Sequence, residues 1–140
     1  MSEELVLWKK DPEDAFVTLT MNRPDKMNAM NQAMGDALEA AILRAVQAKD
    51  VRAILLTGAG RAFSAGFDLG GEDFEMDADR WRDDIGENMR RFRVIRESPI
   101  PIIAVVNGFC LAGGLELMMC CDMAIAAEDA KLGEPEVRHV

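Results

Sequence analysis

The feature that most constrains this chain is an alternation. Apolar runs at residues 51–57, 102–106 and 123–126 are each short enough to be a buried strand. The stretches between them read as helices: residues 80–97, stopped by Ser98-Pro99, and a second opened by Gly113-Gly114. Strand, helix, strand, helix, strand is the order of a β/α crossover series, which places the chain in the α/β class with a largely parallel sheet. Upstream, residues 5–8 and 15–20 read as two strands of a hairpin around the turn signals Asp11-Pro12-Glu13-Asp14. From Asn31 onward Met34, Leu38, Ala41, Ile42 and Ala45 mark one face of an amphipathic helix.

At 140 residues the chain has the size of one domain, taken as residues 1–140. No apolar run approaches the roughly 18 residues of a membrane span, and a net charge of −9 repels polyanions. Neither a membrane nor a nucleic acid is the expected partner. Residues 72–84 carry seven acidic residues against two arginines, a pattern for a solvated loop or helix face, or for a flap beside a site. Cys110, Cys120 and Cys121 have neither even pairing nor metal-ligand spacing, and no signal peptide precedes Met1-Ser2-Glu3-Glu4. A reducing cytoplasm is expected, with the cysteines acting as small hydrophobes.

Glu116 is the only charge in Leu111-Ala112-Gly113-Gly114-Leu115-Glu116-Leu117-Met118-Met119-Cys120-Cys121. If buried there, its carboxyl is expected above the ordinary carboxylate range, the condition for a general acid or base near neutral pH. The alternative is a helix whose glutamate escapes to one polar edge. The first-turn N–H groups of a helix opened by Gly113 lack intrahelical acceptors and suit an oxygen carrying negative charge.

Other site chemistries find no support. Gly58-Ala59-Gly60 lacks the third glycine of a dinucleotide loop, no Gly-Lys-Ser/Thr follows, and His139 is the only histidine. No Gly-x-Ser-x-Gly elbow exists, and no metal site is expected. What remains is the small-residue loop Gly60-Arg61-Ala62-Phe63-Ser64-Ala65-Gly66-Phe67-Asp68-Leu69, at the strand end where open α/β sheets bind ligands. It also reads as an ordinary tight connection in which Asp68 is a cap.

Taken together, Asn22-Arg23-Pro24-Asp25-Lys26-Met27-Asn28-Ala29-Met30, then Ala62-Phe63-Ser64-Ala65-Gly66-Phe67-Asp68-Leu69, then Asn107-Gly108 through Gly113-Gly114-Leu115-Glu116-Leu117 to Cys121-Asp122 resemble the enoyl-CoA hydratase/isomerase (crotonase) family. The resemblance implies a crotonase-like fold of repeated ββα units in a spiral. Because family members are nearly twice as long, it also implies an amino-terminal half, cut before the carboxy-terminal trimerisation helices. It implies backbone N–H groups of Phe67 and Gly113 as an oxyanion hole for an acyl-CoA thioester, and Glu116 and Glu136 as the catalytic carboxylates. Lys26, Ala29, Ala65, Asp68 and Leu69 fall at substrate-binding positions as a group. Phe67 is bulkier than the alanine many hydratases carry there, which bears on the acyl chain rather than on the backbone donor.

The implied reaction is reversible hydration of a 2-enoyl-CoA. The alternatives are 3,2-enoyl-CoA isomerisation through Glu136 alone, a related lyase acting on a hydroxyacyl-CoA, and a non-catalytic acyl-CoA-binding scaffold. No cofactor is implied, since CoA belongs to the substrate, and the full-length form is expected as a homotrimer or a dimer of trimers.

Overall fold

The structure, a computed structural model, describes residues 3–68, 70, 78–135 and 137. Strands β1 (Val6–Lys10) and β2 (Phe16–Met21) pair antiparallel, with Val6 opposite Met21. The Asp11 carboxylate fixes the turn between them by accepting the N–H groups of Glu13 and Asp14 at 2.9 and 3.0 Å. Helix α1 (Gln32–Gln47) starts at Asn31, whose side-chain oxygen accepts the Met34 N–H at 2.9 Å. Its buried stripe, Met34, Leu38, Ile42 and Ala45, follows the predicted periodicity, with Ala41 half-buried beside it.

The rest of the chain repeats one pattern. A strand in the first sheet is followed by a three-residue strand in a second sheet and then by a helix. The first repeat is β3 (Ala53–Gly58), β4 (Ala62–Ser64) and α2 (Ala78–Arg96). The second is β5 (Ile102–Val106), β6 (Phe109–Leu111) and α3 (Gly113–Cys120), and β7 (Met123–Ala126) with β8 (Lys131–Gly133) opens a third. The five-stranded sheet runs β1-β2-β3-β5-β7, parallel after β2, and the three-stranded parallel sheet runs β4-β6-β8.

Two expectations are corrected here. Residues 60–69 are not a loop throughout, because Ala62–Ser64 is strand β4, and the turn expected at residues 132–135 begins inside β8. Strands of three residues are too short to carry a period-two pattern, so turn residues dominate their neighbourhood.

Burial alternates along β2, β3 and β5, placing Val17, Leu19, Met21, Ile54, Leu56, Ile102, Ala104 and Val106 in the core beneath α1. Each of the larger of these side chains contributes roughly 1.5–3 kcal/mol on burial. Ion pairs tie α2 to α1: Arg90 forks onto Glu39 at 2.6 and 2.7 Å, and Arg91 reaches Asp36 at 2.6 Å. The acidic first turns of α2 are exposed, as a solvated helix face would be.

Candidate active site

The site is assembled where the β4 exit loop meets the start of α3. Gly66 has φ 105°, a conformation open to glycine, and a Cβ placed on it would lie 3.0 Å from the Gly113 nitrogen. The segment leading to the Phe67 N–H is therefore packed against the Gly113 N–H. Ala112, which precedes α3, has φ 52° and ψ −130°, a strained combination for alanine that reorients the chain into the helix. Among the described residues neither the Phe67 nor the Gly113 N–H has a hydrogen-bond acceptor. The residue before Phe67 thus packs against a backbone donor at a helix start.

Glu116 sits one turn into α3 and is exposed. The structure thereby decides between the two sequence readings: the carboxylate leaves its apolar neighbours at the helix edge, and Leu117 turns into the core instead. The burial that one of those readings gave this side chain is absent. Glu116 nevertheless opens onto a cavity of about 580 Å³ that Phe67 also lines, walled on the other side by Trp81, Ile85, Met89 and Phe92 of α2. A carboxylate and the segment carrying the Phe67 N–H share one concavity of ligand size.

The remaining predicted positions divide. Asp68 lies on the rim of this cavity, where it pairs with Arg23 at 2.6 Å and accepts the Gly70 N–H at 3.2 Å. The Arg23 guanidinium, then the Gly70 N–H, hold its carboxyl below the ordinary value. Ala29 and Ala65 are half-buried in the same loop assembly: the Ala29 carbonyl accepts from Arg23 at 3.1 Å, and the Ala65 N–H donates to Met27 at 2.9 Å. Lys26 is exposed at the end of a single 3-10 turn, Pro24–Lys26, outside the cavity wall. Leu69 and Glu136 lie outside the described residues.

Sequence reasoning missed Asn28. Fully buried, with φ 54°, it accepts the Arg23 N–H at 2.8 Å and donates to the carbonyls of Ala59 and Ala62 at 2.9 and 2.8 Å. Its own carbonyl takes the Ser64 hydroxyl at 2.9 Å, and the same Ser64 oxygen accepts the Gly66 N–H at 3.1 Å. The Asn22-to-Met30 loop and the Gly66 bend are thereby one hydrogen-bonded unit. The available signal was the Met27-Asn28 pair, since asparagine tolerates the left-handed region. The cysteines are packing groups: burial pushes the Cys110 thiol up to about 11 and Cys121 up to about 12.

Comparison with known proteins gives a consistent picture. Residues 11–139 match the family model described as enoyl-CoA hydratase/isomerase. The chain is 37% identical to the crotonyl-CoA hydratase of Syntrophomonas wolfei, covering 98% of this chain and 52% of that protein. It is 35% identical to a mitochondrial delta(3,5)-delta(2,4)-dienoyl-CoA isomerase of Mus musculus, over 79% of this chain and 37% of that one. A crystal structure of an enoyl-CoA hydratase/isomerase from Xanthobacter autotrophicus Py2 superposes with a TM-score of 0.89 at 37% identity, covering 98% of this chain and 51% of that chain. The chain spans about half the length of the curated hydratases it matches.

Proposed function

Since the chain belongs to the enoyl-CoA hydratase/isomerase family, we propose that it forms the oxyanion and acid/base part of an enzyme that adds water reversibly to 2-enoyl-CoA thioesters. Water's oxygen bonds to the β-carbon as the double bond's electrons pass through the α-carbon to the thioester oxygen, and a proton then returns to the α-carbon. The N–H groups of Phe67 and Gly113 stabilise the enolate oxygen; in comparable sites one such donor is worth about 10²–10³ in rate. Glu116 handles the water's proton, with Glu136 as its partner.

The observation that carries this reading is the close approach of Gly66 to the Gly113 nitrogen, beside a cavity that Phe67 and Glu116 both line. Lys26, Ala29, Ala65, Asp68 and Leu69 contribute to holding the CoA portion. The same reading carries a cytoplasmic location and, for the full-length chain, a homotrimer or dimer of trimers, which sedimentation of the natural protein tests.

The decisive experiment is hydration in heavy-oxygen water by the full-length chain. Label is expected on the β-carbon, and Glu116→Gln and Glu136→Gln are each expected to lower turnover by about 10²–10⁴. An isomerase incorporates no label and retains much of its activity in Glu116→Gln. That result would replace hydration with double-bond migration, for which the dienoyl-CoA isomerase relative is the precedent.

A further inference from the structure

Phe67 has a second property, carried by its side chain. The ring lies on Gly113 so closely that a methyl group added there would sit 2.6 Å from Cδ2 and Cε2. On its other side it meets the Phe92 ring, with centroids 5.9 Å apart and planes tilted by 35°. Behind the two rings is a slot of about 20 Å³, lined by Leu38, Ile42, Ile95 and Leu117 from all three helices. That volume holds one water-sized sphere and no acyl chain. In front of them is the cavity of about 580 Å³. Both spaces are bounded by Phe67 and Phe92, together with Met30, Asn31, Asn88 and Arg91, so the ring pair is the aromatic part of the partition between a wide chamber of mixed polar and apolar lining and a narrow apolar slot in the core.

We propose that Phe67 is the specificity-determining residue of this site, closing the core slot to straight acyl chains and turning the acyl group along α2, so that the chain selects broad, aryl-bearing acyl groups over slender linear ones. The inference rests on the acyl-CoA reading above and names the substrate class within it. The wall that receives the acyl group is one helical stripe, Trp81, Ile85, Met89 and Phe92. Trp81, Ile85 and Met89 are 41%, 53% and 61% exposed, so they offer apolar surface that a flat group would cover. With Phe67 and Phe92 at the inner end of this wall, an aryl group finds ring partners there. A straight chain covers the same wall poorly, and the ring pair keeps it from the core slot.

The test measures binding and turnover separately in the full-length chain. Affinities of two saturated, unreactive thioesters, 3-phenylpropanoyl-CoA and decanoyl-CoA, are compared with that of butyryl-CoA in wild type, Phe67→Leu and Phe67→Ala. Wild type is expected to favour the phenyl compound. Phe67→Ala, by joining slot to chamber, is expected to strengthen decanoyl-CoA relative to butyryl-CoA by about fourfold for each methylene admitted, with Phe67→Leu between them. An unchanged decanoyl-to-butyryl ratio in a variant that still binds butyryl-CoA overturns the gate, whatever the turnover. Loss of hydration in wild type with the binding shift intact overturns the hydratase reading and leaves the gate standing. If Phe67→Ala does not fold, an unchanged ratio in Phe67→Leu overturns the proposal alone.

Discussion

Gly113 is pulled toward alanine by one effect and toward glycine by another, and the two can be separated. As the first residue of α3 it would gain helix propensity from alanine, by about 1 kcal/mol. The Phe67 ring opposes this, since the new methyl group would meet it at 2.6 Å. Overpacking of this kind costs about 1–3 kcal/mol. Gly113→Ala is therefore expected to destabilise the wild-type chain, yet to be neutral or stabilising once Phe67→Ala has removed the ring. Denaturant unfolding of the two single variants and the double variant gives the coupling. Additive effects would mean that the ring moves aside freely. Asn28 shows the opposite case, a residue whose identity is fixed by hydrogen bonds to its own loop and to the β3–β4 connection rather than by contact with any ligand.

Between elements, the bond with the clearest pH signature is Arg23–Asp68, which joins the loop after β2 to the loop after β4. The Asp68 carboxyl titrates below its ordinary value of 3.8, held down first by the Arg23 guanidinium. A depressed folded value means that the pair's contribution is fully present above the unfolded value and is lost as pH falls through the folded one. Asp68→Asn is expected to lower stability at neutral pH by about 1 kcal/mol. The gap to wild type should hold down to about pH 3.8 and close below it. Melting curves across this range check the expectation, and a gap independent of pH would show that the ion pair contributes nothing. The sequence made the long elements legible because α1, β3, β5 and β7 are each long enough to display a period or an apolar run. It hid β4, β6 and β8, whose three-residue length leaves the glycines beside them as the stronger signal. Glu116 was conspicuous as the lone charge of its helix, but its direction depended on a rotation that sequence spacing leaves open. The wall formed by α2 was hidden for a different reason: Trp81, Ile85, Met89 and Phe92 read as the apolar stripe of any helix until α3 is placed opposite.

At the scale of the whole molecule, both sheets end on the same side of the order. The last strand of the first sheet is β7 and the last of the second is β8. All four residues of β7 are exposed, Met123 and Ile125 at 61% and 60%, with Met119 of α3 at 63% and Leu132 of β8 at 46%. Among the described residues nothing pairs with the outer edge of β7. An open, apolar edge strand offers both unpaired backbone groups and surface for burial, and natural edges are usually blunted by charge. Produced as these 140 residues, the chain is expected to associate in a concentration-dependent way. Charging the edge by Met123→Lys and Ile125→Lys should weaken that association while leaving the buried face of β5 untouched. Sedimentation over a range of concentrations, with far-ultraviolet circular dichroism to show that the double variant keeps its secondary structure, separates the outcomes. Association that is equally strong in the folded double variant would place the sticky surface elsewhere, with the exposed Trp81, Ile85 and Met89 of α2 the next candidates. A monodisperse monomer at every concentration would show that neither sheet edge drives assembly.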